Sequence, residues 1–361
     1  MKHAVAVAAP DILVVGLGPA GGRAAAAAAQ AGARVIALDR RREPGRPVQC
    51  AELVPTLLDQ DIAGLAAVTQ QAVGRMRTAV EGAPFDETAP FPGRMIDRAR
   101  FDVWLAEVAA EAGADCRYGV ALLDSAPDGT MRCSDGTRLR PRLIIGADGP
   151  RSAVGRAAGI VNRELVETRQ ITVPLAVPHD ATDIFLSADY PGGYGWLFPK
   201  GAVANIGLGV APSAHQRLKP LLTALHRRLV EAGRVGVAAT ALTGGAIPVG
   251  GRLSLVGRIG ETPVLLAGDA AGLANPVTGA GIAAAVQSGT LAGEAAARWL
   301  GGRSSGLADY EDELADLFDA ALARARARRR ALLAHYENGG RRPDAAALRA
   351  GWIAYPEYWA A

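Results

Sequence analysis

The sequence predicts an α/β fold: a Rossmann-type nucleotide-binding domain built from discontinuous pieces, a β-rich second domain inserted into it, and a C-terminal helix. Three observations carry this prediction. Gly16-Leu17-Gly18-Pro19-Ala20-Gly21 is a G-x-G-x-x-G turn between an apolar strand over 12–15 and an alanine-rich helix running to Gly32. A second apolar strand over 34–38 ends at Asp39, 23 positions after Gly16. Strand-then-turn patterning returns at 264–269, beyond a long β-rich stretch.

The first turn needs glycine three times: for the tight bend, for close approach of backbone to a pyrophosphate, and for packing of helix against strand. The phosphates then meet the positive end of the helix dipole. Asp39 falls where a carboxylate accepts from a ribose hydroxyl. A Pro/Gly/Arg-rich loop over 40–47 leads to Gln49-Cys50-Ala51-Glu52, and the polar, proline-rich stretch over 81–94 reads as a crossing between domains. Phe101, Val103, Trp104, Leu105, Val108 and Ala109 recur with helical period over 98–112. A strand over 143–145 runs into Gly146-Ala147-Asp148-Gly149, and from 162 to 250 the pattern is β-rich with one helix near 214–232. A strand over 264–267 then meets Gly268-Asp269. The nucleotide domain is therefore assigned to 1–75, 95–160 and 250–300, the inserted domain to 76–94 and 161–249, and a C-terminal helical segment to 301–361.

Composition narrows the function classes. Half of the 361 residues are apolar, enough for a sizeable core, yet no uninterrupted apolar run reaches the length of a membrane span. Met1 to Pro10 leads into the first strand without a secretory pattern, so a cytoplasmic location is expected. Cys50, Cys116 and Cys133 have no C-x-x-C spacing, so neither a zinc site nor a disulfide framework is expected, and none of the five histidines has metal-ligand spacing. The net charge is +3, and only Lys2, Lys200 and Lys219 among the 39 basic residues are lysine. We read this imbalance as genomic GC bias; no aromatic-interleaved basic stripe points to nucleic acid.

Three segments point to flavin rather than nicotinamide. Asp269, at the carboxyl end of a strand, is placed to accept from the sugar-alcohol chain of FAD. Asn275-Pro276-Val277-Thr278-Gly279-Ala280-Gly281-Ile282 opens a long alanine-rich helix. Around Pro276, Gly279 and Gly281, free backbone N–H groups would face the flavin N1–C2=O edge and stabilise the charge of reduced flavin. Asp148 brings another acid to the same side of the sheet.

In this order the turn at Gly16, Gly18 and Gly21, the loop at Asp148 and the Gly268-Asp269 segment resemble the three signatures of the FAD-dependent family that includes aromatic hydroxylases and geranylgeranyl reductases. Pro191-Gly192-Gly193-Tyr194-Gly195-Trp196-Leu197-Phe198-Pro199-Lys200, followed by Asn205-Ile206-Gly207-Leu208-Gly209, is similar to the substrate-domain motif of the geranylgeranyl reductase branch. The resemblance implies a tightly but non-covalently bound FAD, a mixed β-sheet cap over the flavin and two-electron chemistry on an apolar substrate. Arg98 resembles the family's arginine at the start of a helix bordering FAD. In the family's reductases a cysteine beside the flavin occupies the loop that Cys50 matches; Ala51 and Glu52 stand where glycines are common. A thiol there would donate a proton to carbon after hydride delivery, Glu52 is an alternative acid or base, and plain burial of the cysteine remains open.

Tyr194, Trp196 and Phe198 alternate, so a strand would place them on one face, with 203–210 returning as its partner. They either wall a pocket or pack the cap core; Tyr194 and Trp196, which carry polar handles, are the catalytic candidates alongside Cys50. A helix over 307–335 should bury Leu314, Leu317, Phe318, Ala321, Leu322 and Ala325, with acids in its first half and arginines in its second. That basic half is either a solvated face or a peripheral contact with anionic phospholipid. The aromatic segment 351–359 either closes the pocket or packs on the cap.

The expected activity is FAD-dependent reduction of C=C bonds in an isoprenoid-like substrate, a small molecule or lipid. The alternative is a monooxygenase hydroxylating an aromatic ring, in a small molecule or in a tryptophan of a protein-derived quinone cofactor precursor. A third reading, electron relay to a quinone, is disfavoured because three scattered cysteines cannot hold a cluster. With no second G-x-G-x-x-G, electrons would come from transiently bound NAD(P)H or a reduced protein.

Overall fold

The computed structural model describes residues 7–62, 64–126, 128–337 and 341–360. Part of the expectation for the first ten residues therefore lies outside the described residues. The central sheet runs in the order Val256–Ile259, Thr262–Leu266, Leu143–Gly146, Ile12–Val15, Val35–Asp39, Asp115–Tyr118. All neighbours are parallel except the first pair. Ile12–Val15, Val35–Asp39 and Thr262–Leu266 are buried along their whole length, as strands covered on both faces must be.

Helix α1 (Pro19–Gln30) follows the first central strand, and α2 (Arg98–Glu111) and the short α3 (Ala153–Ala157) come next in the chain. The cap is a seven-stranded sheet in the order Ala241–Pro248, Leu165–Pro174, Val203–Val210, Gly195–Lys200, Ala181–Leu186, Arg75–Val80, Asp86–Thr88. Its pairs are antiparallel except Ala181–Leu186 with Arg75–Val80, which makes the sheet mixed. Helix α4 (Leu218–Glu231) covers one face with Leu218, Leu222, Leu225 and Leu229, meeting Leu197, Ile206 and Leu208. Trp196 and Phe198 alternate onto the opposite face. A three-stranded sheet of Leu53–Pro55, Gly93–Ile96 and Thr69–Val73 links the two parts of the fold.

Helix α5 (Ile282–Leu300) lies against α1, backbone to backbone. A Cβ on Gly289 would collide with the Ala20 carbonyl oxygen, and one on Gly293 with that of Ala24. The alanine-rich composition of both helices thus has a packing reason. Helix α6 (Gly306–Ala334) buries Tyr310, Leu314, Leu322, Ala325 and Arg329, and the Tyr310 hydroxyl donates to the Leu266 carbonyl at 2.7 Å. Leu317 and Ala321, expected on the buried face, are exposed and Phe318 is half-buried, because the stripe drifts around the helix and leaves them on the flank. The arginines of its second half have partners within the fold: Arg326 donates to the Gly250 carbonyl and Arg328 to that of Tyr358, while Arg330 pairs with Glu164. No helix among the described residues is long and apolar enough to cross a membrane.

Candidate active site

The candidate residues gather at the carboxyl ends of the parallel strands, where open α/β sheets bind ligands. Gly16 has φ +95°, and a side chain there would strike the Ala147 carbonyl. One on Gly21 would strike the carbonyl of Gly16. Gly18 differs: a Cβ there would meet only Arg98 Nη2, at 3.9 Å. Two glycines thus let the turn close, and the third leaves an open approach to the N-terminus of α1. That terminus has no side-chain cap, and its first residue, Pro19, has no N–H to satisfy. Asp39 is buried and braces the same turn, its Oδ2 accepting from the Leu17 amide at 2.9 Å and its Oδ1 from that of Arg41 at 2.8 Å. A carboxylate has lone pairs beyond these two, so a ribose hydroxyl can still be accepted.

Asp269 lies in the turn Gly268–Ala271; its carbonyl accepts from Asn162 Nδ2 at 2.9 Å, and its carboxylate finds no hydrogen-bond donor among the described residues. Burial lifts its carboxyl to about 6, while the Arg98 guanidinium pulls the other way. Its Oδ1 would stand 3.1 Å from a Cβ on Gly281, so these two candidates meet. The loop before α5 is a closed turn: Asn275 Oδ1 accepts from the amides of Val277 and Thr278 at 2.9 and 3.0 Å, with Pro276 buried and Gly279 at φ +69°. Gly281 caps α5 without a side-chain bond, leaving a second free helix N-terminus. Two uncapped helix starts and a half-buried carboxylate without a donor fit a cofactor that carries phosphates and hydroxyls. FAD, when bound, supplies two-electron transfer at its ring.

Asp148 follows the strand Leu143–Gly146. Its carboxylate is turned onto the start of α3, accepting from the Ser152 hydroxyl and from the amides of Ala153 and Val154 at 2.6 and 3.3 Å. It shapes the loop as a helix cap.

Arg98 opens α2 and forks onto Asp102 at 2.7 and 3.3 Å, keeping its guanidinium charged. Cys50 lies beside it. Burial raises the thiol above its usual range, with Arg98 opposing, and the Glu52 amide donates to the sulfur at 3.2 Å. Glu52, the alternative acid or base, makes bracing contacts. Glu52 Oε1 accepts from the Arg98 amide at 3.0 Å, and Oε2 from Lys200 Nζ at 2.7 Å and Asn205 Nδ2 at 3.0 Å. Its backbone sits at φ +70°, the left-handed region that favours glycine. The loop thus keeps a glycine-like path without glycine.

The cap candidates join this loop. Trp196 Nε1 donates to Gln170 Oε1 at 3.0 Å, and Gln170 Nε2 donates to the Cys50 carbonyl at 3.1 Å. Opposite Trp196, Gly207 makes room for the indole. The Tyr194 hydroxyl donates to the Thr278 carbonyl at 2.5 Å, fastening the cap motif to the loop before α5. Trp352 packs on Tyr194 with ring centroids 4.7 Å apart, so the aromatic C-terminal segment both packs on the cap and borders the site. Gln170 is not picked out from sequence, and Lys200 and Asn205 stand there only within the quoted cap motif, with no role given. Asn205, polar in the otherwise apolar strand Val203–Val210, was the available signal; Gln170 stands among Glu167, Thr168 and Arg169 and carried none.

Comparison with known proteins agrees with this geometry. The sequence model of the FAD binding domain family matches residues 9–325. A digeranylgeranylglycerophospholipid reductase of Methanopyrus kandleri is 38% identical over 80% of this chain and 76% of its own. A geranylgeranyl bacteriochlorophyll reductase-like protein from Thermoplasma acidophilum superposes with a TM-score of 0.82 at 25% identity, covering 98% of each chain. A probable FAD-dependent monooxygenase from Pseudomonas aeruginosa shares the fold, with a TM-score of 0.69 at 19% identity over 91% of this chain and 97% of its own. The chain is an FAD-dependent oxidoreductase of the FAD binding domain family, in its geranylgeranyl reductase-like branch.

Proposed function

We propose that this enzyme reduces C=C bonds of an isoprenoid-like substrate. The observation that carries the reading is the hydrogen-bonded run from Trp196 through Gln170 to Cys50, which ties the aromatic cap strand to the thiol loop. In this reading α1 and Gly16, Gly18 and Gly21 hold the pyrophosphate, and Asp39 the adenosine ribose. Asp269 accepts from the sugar-alcohol chain, and Arg98 borders the cofactor. The uncapped start of α5 at Gly281 steadies the ring, Pro276 and Gly279 shape the closed turn before it in place of the free amides expected there, and Asp148 shapes the neighbouring loop.

Tyr194 and Trp196 wall the substrate side. Cys50, kept as a thiol at neutral pH by burial, delivers the proton to carbon. The digeranylgeranylglycerophospholipid reductases among the relatives support an apolar lipid or small-molecule substrate. A cytoplasmic location, with membrane contact only at the surface, belongs to the same reading.

The test is to reduce the flavin anaerobically and mix the enzyme with a geranylgeranyl compound. Reoxidation of the flavin with formation of the saturated product is expected. No reoxidation by any polyprenyl alkene, together with incorporation of labelled oxygen into an aromatic compound under air, would replace this reading with hydroxylation.

A further inference from the structure

Helix α6 drives one arginine under the cap motif. Arg329 is 8% exposed, and its Nη1 donates to the Gly192 carbonyl. Its Nε is buried with no hydrogen-bond partner among the described residues, and so is Nε1 of Trp352. Both side chains line one cavity of about 30 Å³, with Tyr194, Val277, Leu186 and Leu348. Burial lowers the guanidinium only to about 10, so it stays charged at neutral pH. Glu164, the one carboxylate that pulls on it, is paired with Arg330 instead.

A buried cation and two unused N–H donors among aromatic and aliphatic walls are costly unless an anion answers them. A guanidinium fork with a neighbouring indole N–H suits an oxyanion. The volume suits one small polar group, not an isoprenoid chain. Val277 places the cavity next to the loop before α5, at the edge of the candidate site.

We propose that this cavity receives an anionic oxygen group, a phosphate or carboxylate at the polar end of an apolar ligand, with Arg329 and Trp352 as its donors. The ligand's apolar body continues along the Tyr194 wall. The assignment rests on the proposed function only in taking that ligand to be the substrate.

The experiment is equilibrium binding to the oxidised holoenzyme, read by perturbation of flavin absorbance. Geranylgeranyl monophosphate, geranylgeraniol and inorganic phosphate are the probes. The monophosphate is expected to bind about tenfold or more tighter than the alcohol. Arg329→Gln and Trp352→Phe should each remove most of that preference for the ester over the alcohol while leaving flavin content unchanged. Equal binding of ester and alcohol by the unaltered enzyme, a comparison that needs no variant, overturns the proposal. So does a preference that survives both substitutions. Inorganic phosphate should compete only weakly; potency equal to the ester's would assign the cavity to the free ion and overturn the headgroup assignment. Because binding is measured without turnover, a phosphate preference in an enzyme that reduces no alkene would sink the reductase reading and leave the site standing.

Discussion

Lys200 Nζ, on the cap, lies 2.7 Å from Glu52 Oε2, on the loop that presents Cys50, and this ion pair spans 148 positions of sequence. It joins substrate domain and cofactor domain next to the thiol. The same carboxylate holds the Arg98 amide and Asn205, so one side chain aligns the start of α2, the cysteine loop and the cap strand.

Replacing Glu52 separates its two contributions. Glu52→Ala loses the bridge and keeps a Cβ in left-handed backbone, whereas Glu52→Gly loses the bridge and relieves the backbone. Urea unfolding should find the alanine variant less stable than the glycine variant by about 1 kcal/mol. Equal stabilities would mean that the backbone at this position carries no strain.

Cys50→Ser should retain FAD and its reduction and slow product formation about a hundredfold, because a serine hydroxyl is a much weaker acid than a thiol. Anaerobic single-turnover kinetics distinguish the steps. A variant that reduces alkene at the unaltered rate would remove Cys50 from the chemistry.

Asp269 makes the apoprotein sensitive to pH. Its folded carboxyl, at about 6, lies above the ordinary 3.8, so the folded state holds its proton more tightly than the unfolded state does. The stability from that retained proton is full below the ordinary value and is lost as pH rises towards about 6, up to about 3 kcal/mol. Apoprotein carrying Asp269→Asn should therefore melt higher than the unaltered apoprotein at pH 7.5, with the gap closing near pH 4. FAD affinity should fall about tenfold in the same variant. Parallel melting curves for the two apoproteins across this pH range would refute the buried-acid account.

Gly289→Ala should destabilise by about 2 kcal/mol or more, since its methyl would press on the Ala20 carbonyl across the α1–α5 contact. Gly74→Ala, where nothing lies within 4 Å of the new methyl, is the control and should stay within about 0.5 kcal/mol. Thermal denaturation of the two holoenzymes makes the comparison.

What was legible in the sequence follows from how local each signal is. The turn at Gly16, Gly18 and Gly21, the strand ending at Asp39 and the alternation Tyr194, Trp196, Phe198 are short-range patterns, and each maps onto the strand or turn it implied. Glu52 was legible as a departure from glycine, but not as a brace, because Lys200 and Asn205 arrive from two distant strands. Asp148 was visible as an acid at a strand end; that its lone pairs go to α3 depends on how the chain bends at Gly149, with φ +84°. The Gly289 and Gly293 spacing was present in the helix, yet its meaning appears only when Ala20 and Ala24 stand opposite. Leu317 shows the limit of a fixed stripe on a helix of 29 residues.

The parallel pairing of Ala181–Leu186 with Arg75–Val80 has a consequence for inheritance and engineering. The cap is not one contiguous cassette: its outer two strands are delivered before α2, more than a hundred residues ahead of the strand they join. A graft that moves only 161–249 between relatives would pair Ala181–Leu186 with the recipient's counterpart of Arg75–Val80, leaving cross-strand side chains unmatched along that seam. Exchange of substrate preference within such a scaffold requires both segments to travel together.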